Sequence, residues 1–149
     1  KGRKAMVADN DDVRTEFEPE RWIPDWFWAR IDQGGQDRLR FREVCRQMER
    51  GELIQFIRKF DEVANIFINP PFRPPFPSLD AYLEDTGYWV LSQGKASFDQ
   101  VWQDPAVFWA LKRDNVSEAQ AERGYQGVPE LVWSERFPEE DIPGHRQDE

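Results

Sequence analysis

Five prolines fall within the nine residues from Asn69 to Pro77, and no helix survives that density. Each proline lacks a backbone N–H and sets its ring against the preceding turn. The chain is therefore cut into two blocks joined by a segment expected to run as an extended, polyproline-like crossing, pinned to a core by Phe72 and Phe76. A ligand for a proline-recognition domain is the other reading of this segment. The interleaved aromatic residues favour a packed loop.

The blocks on either side read as helices. Pro24-Asp25 starts a short one carrying Trp26, Phe27, Trp28 and Ile31, closed by Gly34-Gly35. A second, about Asp37 to Arg50, presents Leu39, Phe41, Val44, Cys45 and Met48 and is broken by Gly51. A third, about Glu52 to Ile68, lines one face with Leu53, Phe56, Ile57, Phe60, Ala64 and Phe67. Beyond the prolines, Leu79, Tyr82, Leu83, Thr86, Trp89 and Val90 recur at helical spacing. Ser78 is the expected N-cap, and Asp80 sits in the first turn, where a negative charge suits the dipole. Gly94 is expected to end this helix in the left-handed conformation. Phe98, Val101 and Trp102 then form a further stripe up to Asp104-Pro105.

Val107, Phe108, Trp109 and Leu111 continue as a short helix, and Ser117-Glu118-Ala119-Gln120 reads as the capping box of another that stops near Gly124. After Gly127, the prolines at 129, 138 and 143 are too closely spaced for a helix. Val128, Leu131, Val132, Trp133 and Phe137 are expected to wrap over the bundle or to form a short strand. The fold class is thus all-α: a single irregular bundle of about five or six helices with a proline-rich crossover and an extended C-terminal segment. Residues 1–19, with the run Asp9-Asn10-Asp11-Asp12, read as a flexible acidic arm, residues 20–142 as one helical domain, and residues 143–149 as a disordered tail. Lys1 in place of an initiator Met reads as the start of a fragment or of a processed or trimmed chain.

Asp80, Trp89, Gln93, Gly94, Phe98, Asp104 and Pro105 occupy positions that resemble the bacterial domain-of-unknown-function family 4240. Its members carry a helix reading approximately Ser-Asp-Asp, then Phe-Arg-x-Trp-Leu, then Gln-Gly, a short amphipathic helix and Asp-Pro. Phe27-Trp28 followed by Ile31 looks like that family's opening Phe-Trp-x-x-Ile, and Arg58-Lys59-Phe60-Asp61-Glu62 like its Phe-Asp-Glu helix. The likeness covers roughly Trp26 to Pro105, mainly through packing residues. Gly87 stands where the family has arginine, Thr86 replaces an aromatic residue, and the prolines replace a Gly-Gly approach. The resemblance implies an all-helical bacterial cytosolic domain and transfers no activity.

At 149 residues the chain is long enough for one core, burying roughly two-thirds of the unfolded surface. Seven Trp, eleven Phe and three Tyr make up 14% of it, against 33% charged residues and a mean hydropathy of −0.82, so that core must be built from few, large side chains. Because an indole N–H seeks a partner, some tryptophans are expected at boundaries or at a binding surface. No apolar run approaches the roughly 20 residues needed to span a bilayer, and no signal segment opens the chain. A soluble, cytoplasmic protein without membrane association is expected. Cys45, the single cysteine, falls beside Phe41 and Met48 and reads as a structural thiol.

The catalytic inventory is thin. His145, the one histidine, lies in the polar tail with nothing to orient it, and any Ser-His or Cys-His pair or histidine-cysteine metal site would need it. Gly34-Gly35 lacks the Gly-Lys-Ser/Thr of a phosphate-binding loop. Glu84 with Asp85, or Asp61 with Glu62, offers acid-base pairs only in principle. Adjacent helical residues point about 100° apart and mostly mark a solvated face. No catalytic residue, metal or cofactor is therefore expected, and the chain is read as non-enzymatic.

Charge is the stronger clue. Twenty cations against twenty-nine carboxylates give −9, which repels nucleic acid and anionic membrane and favours a basic partner. The distribution is uneven: Arg38, Arg40, Arg42, Arg46, Arg50, Arg58 and Lys59 cluster, whereas the N-terminal arm and the segment after Glu130 are acidic. Self-docking of the acidic ends, or a dipolar surface that orients a partner, would follow. The simpler expectation is pairing along the helices with Glu43, Glu49, Glu52 and Asp61.

Three functions compete. The leading one is a small acidic interaction protein, for example an immunity or accessory subunit that occludes a basic protein partner, with Trp26, Trp28 and Trp133 as candidate aromatic anchors. The second is a ligand-binding or enzymatic domain with a pocket lined by Tyr82, Asp85 and Trp89, favoured if a deep, partly apolar cavity holds a carboxylate with a raised pKa. The third is a structural subunit of a larger assembly.

Overall fold

The computed structural model describes residues 12–113 and 124–144. Among them are a 3-10 turn, Val13–Thr15, and eight helices: α1 (Pro19–Trp22), α2 (Asp25–Gln33), α3 (Arg38–Gln47), α4 (Arg50–Ile66), α5 (Asp80–Ser92), α6 (Lys95–Gln103), α7 (Pro105–Arg113) and α8 (Val128–Arg136). No strand occurs among the described residues, and the all-α expectation holds with more helices than foreseen. The capping box at Ser117, His145, and residues 1–11 of the arm lie outside the described residues.

Aromatic rings build the core, as the composition requires. Phe27 stacks on Phe56 at 4.8 Å, Phe67 on Phe108 at 4.9 Å, and Phe41 on Tyr125 at 3.8 Å between ring centroids. One cluster of buried side chains runs from Ile23 to Ile142. Burying a ring of this size removes on the order of 150–250 Å² of surface, so a few such residues replace many aliphatic ones.

Several boundaries differ from the expected ones, each for a local reason. The break between α3 and α4 falls at Met48, not Gly51. Met48 is buried and extended (ψ 142°), and Arg136 Nη1 donates to the carbonyl oxygens of Met48 and Cys45 at 2.6 and 3.4 Å. Gly51 then lies in the first turn of α4. The proline-rich segment is a succession of turns rather than an extended crossing, because Phe72 and Arg73 both donate backbone N–H groups to Asn69 O, at 2.9 and 3.1 Å. Phe72 is buried as foreseen, and Phe76 is half-buried.

The N-cap of α5 is Leu79, while the Ser78 hydroxyl has no hydrogen-bond partner among the described residues. Arg73 instead pairs with Asp80 at the helix start. Gly94 has φ 106° and ψ 176°, outside the left-handed helical region, and serves as N-cap of α6. The α5 stripe is also rotated from the expected one. Leu83, Thr86, Gly87, Val90 and Leu91 are buried, whereas Leu79 and Tyr82 face solvent.

The segment after Gly127 is the largest correction. Val128–Arg136 is a helix because Pro129 stands in its first turn, where no N–H is needed, and Pro138 lies beyond its end. α8 packs on α3 and α4. The acidic C-terminal segment docks on the basic helices: Glu135 pairs with Arg42 and Arg46, Glu140 with Arg50 at 2.6 Å, and Pro143 O accepts from Arg58 at 3.0 Å. Pairing within the helices is the smaller part, as in Arg46 with Glu43. At the other end, Asp12 to Pro19 is not a free arm. Val13 N donates to Pro70 O at 2.8 Å, and Phe17 meets Trp102 edge to face at 5.8 Å.

Candidate functional site

Gly87 positions the site. It stands at the crossing of α5 over α4, where a Cβ would lie 2.8 Å from the Ala64 carbonyl oxygen and 2.9 Å from the Phe67 ring. A bare backbone at that point lets the two helices meet closely, and the residues one turn to either side then face each other. Glu84 and Tyr88 of α5 are thereby set beside Asp61, Glu62 and Asn65 of α4, around a cleft of about 510 Å³ edged by Arg58 and Gly144.

Within this cleft Tyr88 Oη donates to Asp61 Oδ1 at 2.5 Å, and the Tyr88 ring lies edge-on to Phe60 at 4.9 Å. Burial, then the neighbouring Asp61 carboxylate, pushes the Tyr88 hydroxyl's own ionisation far up, so it remains a donor. Glu84 is half-buried. Its carboxyl is raised above the ordinary carboxylate range by that burial first, and then by the like charges of Asp61, Asp85 and Asp80. Glu62 pairs with Lys59 at 3.0 Å on the rim, and Arg58 donates to the Pro143 carbonyl.

Neither adjacent pair makes this site by itself. Both Asp61 and Glu62 line it, but only Glu84 of Glu84-Asp85 does. Asp85 itself accepts from Gln126 Nε2 at 2.8 Å and joins α5 to the segment before α8. Tyr88 carries no motif, and Arg58 stands out in the sequence only as one of a run of cations and in the stretch Arg58 to Glu62. The signal for Tyr88 is the spacing of four from Glu84 across Gly87, which puts the acid and the phenol on one face.

The sequence-derived candidates are scattered. Trp28 is 5% exposed and packs on Phe98 at 5.5 Å; Trp133 is 2% exposed and donates its indole N–H to Glu140 O at 2.9 Å. Both are core residues and offer no anchor to a partner. Trp89 is half-buried beside Gly124, where a Cβ would meet its ring at 3.3 Å. Tyr82 is exposed, Trp26 is half-buried, and neither they nor Trp28, Asp85, Trp89 or Trp133 line the acidic cleft. Cys45 is buried, which pushes its thiol well up and keeps it protonated. Among the described residues no group of histidine, cysteine and carboxylate side chains is arranged to hold a metal ion, and no helix is long and apolar enough to cross a membrane.

Compared with known proteins, the chain matches no family model, no curated protein and no solved structure.

Proposed function

We propose that the protein is a non-enzymatic interaction domain that seats a basic side chain of a protein partner in the cleft between α4 and α5. One observation carries this reading: Asp61, Glu62 and Glu84 converge there, and Glu84 is held above its ordinary pKa by burial and by surrounding carboxylates. A half-buried carboxylate among like charges gains most from an incoming cation, because a guanidinium or ammonium group relieves the repulsion and supplies donors in the same step. The overall charge of −9 steers such a partner to the surface. In this proposal the domain is a bacterial, cytoplasmic immunity or accessory subunit, and the likeness of its central helices to family 4240 reflects kinship of fold.

A second reading, a small-ligand or enzymatic pocket, draws on the same Glu84, since an upward-shifted carboxyl pKa is the direction that suits a general acid. Isothermal titration with an octa-arginine peptide at low salt separates the two. Under the interaction reading, Asp61→Asn and Glu84→Gln each weaken binding by about tenfold, whereas Glu43→Gln, with the same change in net charge, weakens it less than about twofold. Equal losses in all three variants would reduce the attraction to bulk charge and leave the pocket reading.

A further inference from the structure

A second cleft, on the far side of Arg58, has the opposite character. It lies between α1 and α4, measures about 460 Å³, and is walled by Arg21, Trp22, Trp26, Arg58, Lys59 and Glu62. Three cations and one carboxylate therefore line it, on a chain whose net charge is −9. Its volume is that of a small-molecule site.

We propose that this cleft binds an aromatic ring that carries a carboxylate. The ring is recognised by the tryptophans. Trp22 is 46% exposed, and the Arg21 guanidinium already lies 5.5 Å from its ring centroid, so a flat guest enters a wall made of indole and guanidinium faces. Trp26 is held from behind by Phe27 and Phe56, at 6.4 and 6.5 Å, which fixes its indole without covering it completely. Whereas Trp109 and Trp133 donate their indole N–H groups to Pro71 O and Glu140 O, those of Trp22 and Trp26 donate to no described residue.

The carboxylate is recognised by Arg58. Among the described residues Arg58 makes no ion pair; its Nε and Nη2 reach only the neutral Pro143 carbonyl, at 3.3 and 3.0 Å. Its full charge faces both clefts, and a carboxylate is the acceptor its planar donor fork fits best. Lys59 is the second cation, partly offset by Glu62 at 3.0 Å. A phosphate would meet the same cations but leave the indoles unused, and an aliphatic acid would forgo the stacking. The two halves of the cleft together select the aromatic acid. Arg58 and Glu62 are common to the walls of both clefts, but the recognition of ring and carboxylate here does not depend on what the acidic cleft binds.

Such a group is carried by a free aromatic acid or by the C-terminal aromatic residue of a peptide. Two probes cover the two sources: indole-3-acetate, and N-acetyl-Gly-Gly-Phe with a free C-terminus. Each is titrated into the nitrogen-15-labelled protein while the indole N–H resonances are followed. The expected result with at least one probe is that Trp22 and Trp26 shift together and saturate, with a dissociation constant on the order of 0.1 to 1 mM. The probe that binds more tightly names the source. Indole-3-acetamide, which keeps the ring and loses the charge, and the Arg58→Ala and Lys59→Gln variants should each weaken binding by about tenfold, whereas Arg73→Ala, a cation paired elsewhere with Asp80, leaves it unchanged. The unshifted resonances of Trp109 and Trp133 report that each variant is folded. Shifts that never saturate with either probe, an amide that binds as well as its acid, or full binding by both Arg58→Ala and Lys59→Gln would overturn the proposal.

Discussion

Gly87 of α5 stands so close to Ala64 of α4 that a Cβ at position 87 would fall 2.8 Å from the Ala64 carbonyl oxygen. Backbone on one side and the Phe67 ring on the other leave no flexible neighbour to yield. Gly87→Ala should therefore destabilise the protein by about 1–3 kcal/mol in urea unfolding, despite alanine's better helix propensity. It should also loosen the Tyr88 to Asp61 hydrogen bond, visible as a change in tyrosine absorbance. A stability unchanged or increased would mean that α4 and α5 sit further apart than described.

The contrast between Gly87 and Glu84 shows what the sequence makes legible. Helix type and most core positions follow from local periodicity, as in α4, where Leu53, Phe56, Ile57, Phe60, Ala64 and Phe67 are all buried as the spacing predicts. The rotation of α5 does not, because Gly87 scores as apolar on no pattern, yet it is the residue on which the helix seats. Once Gly87 defines the contact, Leu79 and Tyr82 are turned outward and Glu84 is turned toward Asp61. The site is then a tertiary fact: its acids come from helices separated by the proline-rich turns, and no motif links positions 61 and 84. The helix at Val128 was hidden for a different reason. Proline counts as a breaker in an interior but as a starter in a first turn, and only the cap at Gly127, with φ 82°, distinguishes the two.

Tyr125 is a buried lock on the loop after α2. Its Oη donates to Ile31 O and accepts from Gln36 N, both at 3.0 Å, while its ring stacks on Phe41 and its backbone N–H donates to Ser92 Oγ. Tyr125→Phe keeps the stack, takes the acceptor from the Gln36 amide, and leaves Ile31 O with the Gly34 N–H at 3.1 Å in place of two donors. A loss of about 1–3 kcal/mol is expected, with faster hydrogen exchange at the Gln36 amide as the local signature. Loss of stability without that local change would assign the hydroxyl a different role.

Glu135 holds α8 to α3 through Arg42 and Arg46, and its carboxyl is lowered first by the hydrogen bond from Arg42. A lowered folded-state pKa means that the stabilisation is present above the unfolded value, about 4.3, and is lost as pH falls through the folded one. Glu135→Gln should leave the protein less stable at pH 7 and much closer to wild type at the acid end. Added salt should narrow the neutral difference, since the pair is exposed. Melting temperatures across pH, at low and high salt, check both limbs.

Glu84 should behave with the opposite sign. Its carboxyl is raised by burial, then by Asp61, Asp85 and Asp80, with Glu62, Tyr88 and Arg58 completing the wall of its cleft. A folded state that holds the proton more tightly than the unfolded chain loses stability as pH rises from about 4.3 through the folded pKa. Glu84→Gln removes that penalty, so the variant should melt at a higher temperature than wild type at pH 7 and at nearly the same temperature at pH 4. A stabilising substitution at a partly exposed acid is also what a site kept for binding rather than for stability would show. The reverse result, a variant less stable at pH 7, would mean that a cation of the chain itself already satisfies Glu84, and the cleft would then have no need of a basic partner.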